Sequence, residues 1–250
     1  MTPDMTAALE AVSAVPRLLV ASDFDGVLAP FVLDPLDARP QPGTIDALTA
    51  LAAAPDTWTA VVSGRDLATL ADLTGLSGAA TTLIGSHGAE TTRRERTIDA
   101  DAARRLAELR AFVEEVVAAR DPRIRLEHKP TAVVMHTRGL TDDAVDTAAL
   151  IAADASRADG VTLLSGKSVH ELCVVRADKG SALRALAADL GVDAIVYLGD
   201  DVTDEHVFTV LGPQDLSIKV GPGETAARTR LADCTEVPAV LDALVTARTD

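Results

Sequence analysis

Residues 17–28, RLLVASDFDGVL, decide how the chain is read. RLLVAS (17–22) is a short β-prone run that passes straight into two aspartates and a glycine. An apolar run bounded by turn residues reads as a buried strand feeding a loop. Asp23 and Asp25, with Gly26 permitting a tight turn, can converge on one point beyond the strand end. Convergent carboxylates repel, and a hard, oxygen-loving cation such as Mg²⁺ relieves that repulsion. Asp and Gly are also ordinary turn formers. The carboxyl end of a parallel strand is where open α/β sheets bind ligands, which favours a site.

Working outward, residues 44–54 read as a helix ending before Pro55, WTAVVS (58–63) as a second strand and TTLIGS (81–86) as a third. A helix is expected from Arg65 to Leu73, after Gly64. Strands alternating with helices predict a parallel sheet covered on both faces. The pattern changes at residues 101–120, a long amphipathic helix with Leu106, Leu109, Val113 and Val116 on one stripe. Strand-like runs at 124–128 and 131–138, a helix near 142–156, and runs at 161–164 and 168–175 follow. That order suits a small α+β module with an antiparallel sheet, inserted into the core. From Lys179 the alternation resumes: a helix at 179–190, a strand at 194–198, a helix after Asp204, a strand at 215–220 and C-terminal helices. The expected fold class is α/β, a Rossmann-like parallel-sheet core (1–98 and 176–250) carrying a smaller α+β domain (99–175).

Three further places can carry chemistry. GDDVTDE (199–205) follows the strand AIVYL and packs four acids into seven residues. It reads either as a solvated helix start, since Thr203 and Asp204 can cap and acids favour that end, or as part of a cation site. Adjacent strands would gather Asp23, Asp25 and Asp200 around one metal. Ser63, at a strand end, could hold a phosphate oxygen together with nearby backbone N–H groups; taken alone it reads as an ordinary N-cap. Lys179 opens a helix, where the macrodipole disfavours a cation; a bound anion resolves the conflict, and an exposed lysine reaching solvent also accounts for it.

Composition removes other classes. The chain has 250 residues, 48% hydrophobic and 24% charged, within the range of folded globular proteins. A net charge of −15 argues against nucleic acid and anionic membrane surfaces as partners. Cys173 and Cys234 form no CxxC pair, which excludes a zinc ribbon and a disulfide-dense scaffold. The N-terminus lacks a basic region, and its apolar run is too short for a signal or membrane segment, so a cytoplasmic location is expected. No P-loop, GxGxxG after a strand, HExxH or GxSxG is present. The sequence carries no signal of oligomeric state.

In order, DFDGVL, VVSGR, DKGSAL and GDDVTDE resemble the haloacid-dehalogenase superfamily of phosphotransfer enzymes, and the insertion lies where its larger α/β caps occur. GSHGAE (85–90), Glu127-x-Lys129 and the run Gly166-Lys167-x-x-x-Glu171 are similar to the trehalose-6-phosphate phosphatase family within it. That resemblance implies a sugar-phosphate substrate, with Asp23 as nucleophile and Asp25 as acid–base. It implies Mg²⁺ on Asp23, the Asp25 carbonyl and Asp200, with Asp201 and Asp204 around it. Ser63 and Lys179 would stabilise the phosphate, Arg65 would bind substrate, and Glu127, Lys129 and Glu171 would contact sugar and phosphate. Lys129, Lys167, Lys179 and Arg65 would focus positive charge on an acidic protein. Alternatives are a capped phosphatase for sucrose phosphate, mannosyl-3-phosphoglycerate or a simple hexose phosphate, a phosphosugar mutase, and a binding module without chemistry.

Overall fold

The computed structural model describes residues 3–76, 80–93, 100–166, 168–175 and 178–249. The first elements are α1 (Pro3–Ser13), β1 (Leu18–Ser22), α2 (Thr44–Ala53), β2 (Thr57–Val62), α3 (Leu67–Thr74), β3 (Thr82–Gly85) and β4 (Glu90–Thr91). Next come α4 (Ala100–Arg120), β5 (Arg125–Lys129), β6 (Ala132–His136), α5 (Asp142–Ala155), β7 (Thr162–Gly166) and β8 (Val169–Cys173). The chain closes with α6 (Lys179–Leu190), β9 (Ala194–Gly199), α7 (Val202–Val210), β10 (Leu216–Val220), β11 (Thr229–Leu231) and α8 (Val237–Thr249). Two compact units result: Met1–Glu95 with Ala177–Asp250, and Arg96–Arg176.

The first unit is built on a sheet of order β11-β10-β9-β1-β2-β3-β4, parallel except for the last pair. Successive side chains of a strand point to opposite faces. Leu18 and Val20 of β1 enter a core with Leu48 and Leu51 of α2 and Val240, Leu241 and Leu244 of α8. Leu19 and Ala21 enter a second core with Leu183 and Leu186 of α6 and Val207 and Phe208 of α7. Both faces being covered, the strands read as continuous apolar runs. Ser22, the last residue of β1, pairs with Val61 on one side and Leu198 on the other. Beyond that point the chain leaves β1 toward β2 and leaves β9 toward β10, which opens a crevice between the two strand ends. Trp58 packs against the second core, with the Arg17 guanidinium 4.9 Å above its ring.

The second unit is an antiparallel sheet of order β5-β6-β8-β7. Leu106, Leu109, Val113 and Val117 of α4 and Ile151 of α5 pack on Val133, Met135 and Leu172. The side-chain alternation then places Glu127, Val134 and Glu171, aligned by register, on the opposite face. Among the described residues no helix is long and apolar enough to cross a membrane.

Several boundaries differ from the sequence expectation for local reasons. Helix α3 starts at Leu67 rather than Arg65, because the Asp66 carboxylate caps it by accepting from Thr69 N at 2.9 Å. Helix α7 starts at Val202, before Asp204, because Asp201 is its cap and Asp204 completes a reciprocal capping box. The third strand stops at Gly85, where Ser86 and His87 turn into the left-handed region at φ 48° and 55°. On α4, Val117 is buried and Val116 only partly so. Helix α1 and the short strands β4 and β11 had no expectation.

Candidate active site

The loops after β1 and β9 leave the sheet side by side, with Asp23 N donating to Leu198 O at 2.9 Å. Gly26 N donates to Ala29 O and Ala29 N to Phe24 O, both at 2.8 Å, closing the turn after Asp23. Gly26 has φ +77°, and a Cβ there would lie 2.2 Å from Asp200 Oδ2. Only glycine meets both conditions, the backbone angle and the close approach of the second acidic loop.

Lys179 is the first residue of α6, which Asp178 caps by accepting from Ser181 N at 2.9 Å. Its side chain is 1% exposed, and Nζ donates to Asp23 Oδ2 at 2.6 Å and to Asp204 Oδ1 at 2.9 Å. The anions that reconcile a lysine with a helix N-terminus are therefore carboxylates of the chain itself. Asp204 is fully buried; its Oδ1 also accepts from Tyr197 OH at 2.7 Å, and its Oδ2 accepts from the backbone N–H groups of Asp200 and Asp201. Burial lowers the Lys179 pKa, but Asp23 and Asp204 outweigh it and hold the ammonium well above its ordinary value. Burial raises Asp23 and Asp204 adds to the rise, with Lys179 opposing. Burial, with Asp204, likewise raises the Tyr197 phenol. Burial works to raise Asp201, yet Lys179 and the Thr203 hydroxyl bring it below the ordinary value.

Carboxylate oxygens of Asp23, Asp201 and Asp204 lie within 4.8 Å of one another, a grouping able to hold a metal ion, though the Lys179 ammonium already sits against them. Asp200 differs. Its Oδ1 is buried and finds no hydrogen-bond partner among the described residues. Burial, then Asp204 and Asp201, push its pKa up to about 7. A buried carboxylate oxygen without a donor is costly, and a divalent cation satisfies it. The Asp200 carboxylate, on the loop next to that of Asp23, thus fits a hard cation. Lys219 of β10, itself buried, donates to the Asp200 carbonyl and fixes this loop from behind.

Ser63 follows β2 and is 1% exposed, with its Oγ accepting from Arg65 N at 3.2 Å. It does not cap α3; Asp66 does. The Arg65 guanidinium forks onto both oxygens of Asp25 at 2.7 Å and lies 5.4 Å from the Phe24 ring centre. Asp23, Asp25, Ser63, Arg65, Lys179, Asp200, Asp201 and Asp204 are thus all on the first unit, at the carboxyl ends of β1, β2 and β9 and the N-termini of α6 and α7.

Glu127, Lys129 and Glu171 lie on the second unit. Lys129 Nζ donates to both Glu171 oxygens at 3.2 and 3.0 Å. Glu127 Oε2 is 2.7 Å from His136 Nε2, and that hydrogen bond, against the effect of burial, holds Glu127 below its ordinary pKa. On the same face burial and Glu171 push the Cys173 thiol up to about 12, so it stays protonated. Lys167 lies outside the described residues. Sequence reading missed Tyr197, Lys219 and His136. Tyr197 is the only tyrosine of the chain and stands two residues before the acidic run; Lys219 is a cation inside an apolar strand. Those two signals were available.

The trehalose-phosphatase family model matches residues 21–235. The chain is 35% identical over 229 residues to a trehalose-phosphate phosphatase of Mycobacterium marinum, covering 87% of this chain and 57% of that protein. It is 37% identical over 213 residues to the corresponding protein of Mycobacterium tuberculosis, covering 79% and 52%. The chain therefore spans little more than half the length of these curated relatives. A crystal structure of a trehalose-6-phosphate phosphatase related protein is 27% identical with TM-score 0.75, over 91% of this chain and 97% of that one. The C-terminal domain of the Candida albicans trehalose-6-phosphate phosphatase, 22% identical with TM-score 0.75 over 97% of each chain, shares the fold. With a family match spanning both the paired-aspartate turn and the lysine–carboxylate network, the chain belongs to the trehalose-phosphatase family.

Proposed function

We propose that the chain is a phosphomonoesterase that hydrolyses trehalose 6-phosphate with Mg²⁺ as cofactor. The observation that carries this reading is the buried Asp23 carboxylate, hydrogen-bonded to Lys179 at the crevice between β1 and β9, where the neighbouring loop after β9 carries Asp200, whose Oδ1 has no donor among the described residues. Family membership supports the choice of substrate. Phosphate monoesters are very stable in water, so the reaction needs a nucleophile, a proton source and charge neutralisation together.

Asp23 attacks phosphorus, forming an aspartyl phosphate, a mixed anhydride, as the bond from phosphorus to the sugar oxygen breaks; water then attacks that phosphorus, releasing phosphate and restoring the Asp23 carboxylate. Asp25 gives a proton to the leaving oxygen and takes one from the attacking water. Both Asp25 oxygens accept from Arg65, so protonation requires one of them to be released. An incoming phosphate competes for the same guanidinium, which couples substrate binding to that release. Lys179 and Ser63 stabilise the phosphoryl oxygens as charge develops. Asp23, the Asp25 carbonyl and Asp200 would hold Mg²⁺, whose charge would screen the repulsion between carboxylate and phosphate. Asp204 and Asp201 fix the Asp200 loop and the ammonium. Glu127, Lys129 and Glu171 supply contacts to sugar and phosphate, Glu127 as a charged acceptor for hydroxyl groups.

The test is release of inorganic phosphate from trehalose 6-phosphate, sucrose 6-phosphate, glucose 6-phosphate and mannosyl-3-phosphoglycerate, with Mg²⁺ and with EDTA. The expected result is a strong preference for trehalose 6-phosphate, abolished by EDTA and by Asp23→Asn in a protein that remains folded. Metal-dependent release from another sugar phosphate overturns the substrate. Isomerised sugar without phosphate release points to a mutase, and binding without turnover to a non-catalytic module.

A further inference from the structure

GSHGAE (85–90) takes no part in the chemistry above, yet it carries a backbone conformation that must be held in place. Ser86 and His87 are consecutive non-glycine residues with φ 48° and 55°. Such conformations cost free energy for L-residues and persist only where surrounding contacts enforce them.

The enforcing contacts run to the Ser63–Arg65 loop. Ser86 N donates to Arg65 O at 2.7 Å and His87 N to Ser63 O at 3.0 Å. The loop's own residues leave no room for a different fit, because a Cβ on Gly64 would lie 2.6 Å from the His87 ring, and one on Gly85 2.7 Å from Leu67 N. On its other side the turn meets the helix that carries Lys179. Gly88 has φ +110°, and a Cβ there would lie 2.8 Å from both Asp178 O and Ala182 Cβ. The turn is thus wedged between the serine loop and the first turn of α6.

Glu90 locks the wedge. It is 4% exposed, and one carboxylate oxygen accepts from Leu67 N at 3.0 Å, the first N–H of α3, while the other accepts from Ser86 Oγ at 3.1 Å. The helix N-terminus accommodates the negative charge, and the hydroxyl ties Ser86 into its left-handed conformation. We propose that Glu90 is a positioning residue that sets the spacing between the Ser63–Arg65 loop and Lys179 by holding Ser86–Gly88 between them. This rests on the phosphatase reading, in which Ser63 and Lys179 bind the same phosphoryl group, and misplacement of such groups by about 1 Å costs on the order of a hundredfold in rate.

Three variants test it: Glu90→Ala, Glu90→Gln and Ser86→Ala. Each is read by kcat and KM on the preferred sugar phosphate and by amide hydrogen exchange. Glutamine keeps the shape, since its carbonyl can accept from Leu67 N while its amide donates to Ser86 Oγ. The expected pattern is kcat lowered about a hundredfold in Glu90→Ala, with KM within about threefold, and kcat largely rescued in Glu90→Gln. Exchange should quicken at residues 63–67, 86–90 and 178–182 and stay unchanged elsewhere in the first unit. A folded Glu90→Ala with wild-type kcat overturns the proposal. So does an equal loss in Glu90→Gln with exchange quickened throughout, the mark of a merely structural residue. If Glu90→Ala fails to fold, Ser86→Ala decides: a lowered kcat with local quickening supports the wedge, and wild-type kcat and exchange overturn it. A wild type that cleaves no sugar phosphate defeats the phosphatase reading instead, and exchange still reports whether Glu90 holds the two segments.

Discussion

Asp200 keeps a buried oxygen without a donor among the described residues, and the charge it carries costs the metal-free fold stability. Between its ordinary pKa of 3.8 and the folded value of about 7, the folded chain binds a proton here that the unfolded chain does not. Stability contributed by this group is therefore complete at low pH and lost as pH rises through that window. Replacing the charge reverses the sign. Asp200→Asn should stabilise the metal-free protein at pH 8 by about 1 to 2 kcal/mol, and the gain should vanish near pH 4. Under the proposed function Mg²⁺ should raise the Tm of the wild type, and the same variant should lose that rise together with turnover. Thermal melts at the two pH values, with and without Mg²⁺, check both. A variant that keeps the full Mg²⁺ shift would remove Asp200 from the metal site.

On the sheet face away from α4 and α5, the second unit gives each acid a nitrogen partner, Glu171 with Lys129 and Glu127 with His136. His136 sits opposite Arg125 in the ladder, two residues along from the position facing Glu127, and still reaches Glu127 at 2.7 Å. Losing a hydrogen bond to a charged group costs about 1.5 to 3 kcal/mol. His136→Ala should therefore raise KM for the sugar phosphate about tenfold and change kcat less, with partial recovery in His136→Gln. Steady-state kinetics on the three proteins check this, and an unchanged KM would detach His136 from recognition. At this scale the sequence was legible wherever the signal was local. The runs at 17–22, 58–63 and 194–198 became strands because apolar stretches ending in turn residues need no distant partner to be read. Lys179 opens its helix where expected for the same reason. The start of α7 was placed too late because Thr203 and Asp204 were read as its caps, when Asp201 is the cap and Asp204 returns the bond from within the first turn. Glu90, Lys219 and His136 act through residues far along the chain or across a ladder, contacts that no spacing rule encodes.

At the scale of the whole molecule, each unit has its own apolar core. A chain of this kind need not unfold in one step. Trp58, the only tryptophan, belongs to the first unit, and the second unit contains none. Tryptophan emission should therefore follow the first unit alone. In a denaturant titration the far-ultraviolet ellipticity should show a component displaced from the emission transition, contributed by α4 and α5. Coincident curves would mean that the two units unfold together. The split of the first unit has one more consequence, and it concerns time. Strand β1 lies between β2, made soon after it, and β9, made only once the whole second unit has been synthesised. Domains generally fold as units while the chain emerges, at roughly 5 to 20 residues per second. For roughly 10 to 35 seconds at that rate, then, the strand that leads into Asp23 waits with one edge unpaired while the insertion is synthesised. Asp23 is therefore made well before the strand that completes the crevice beside it.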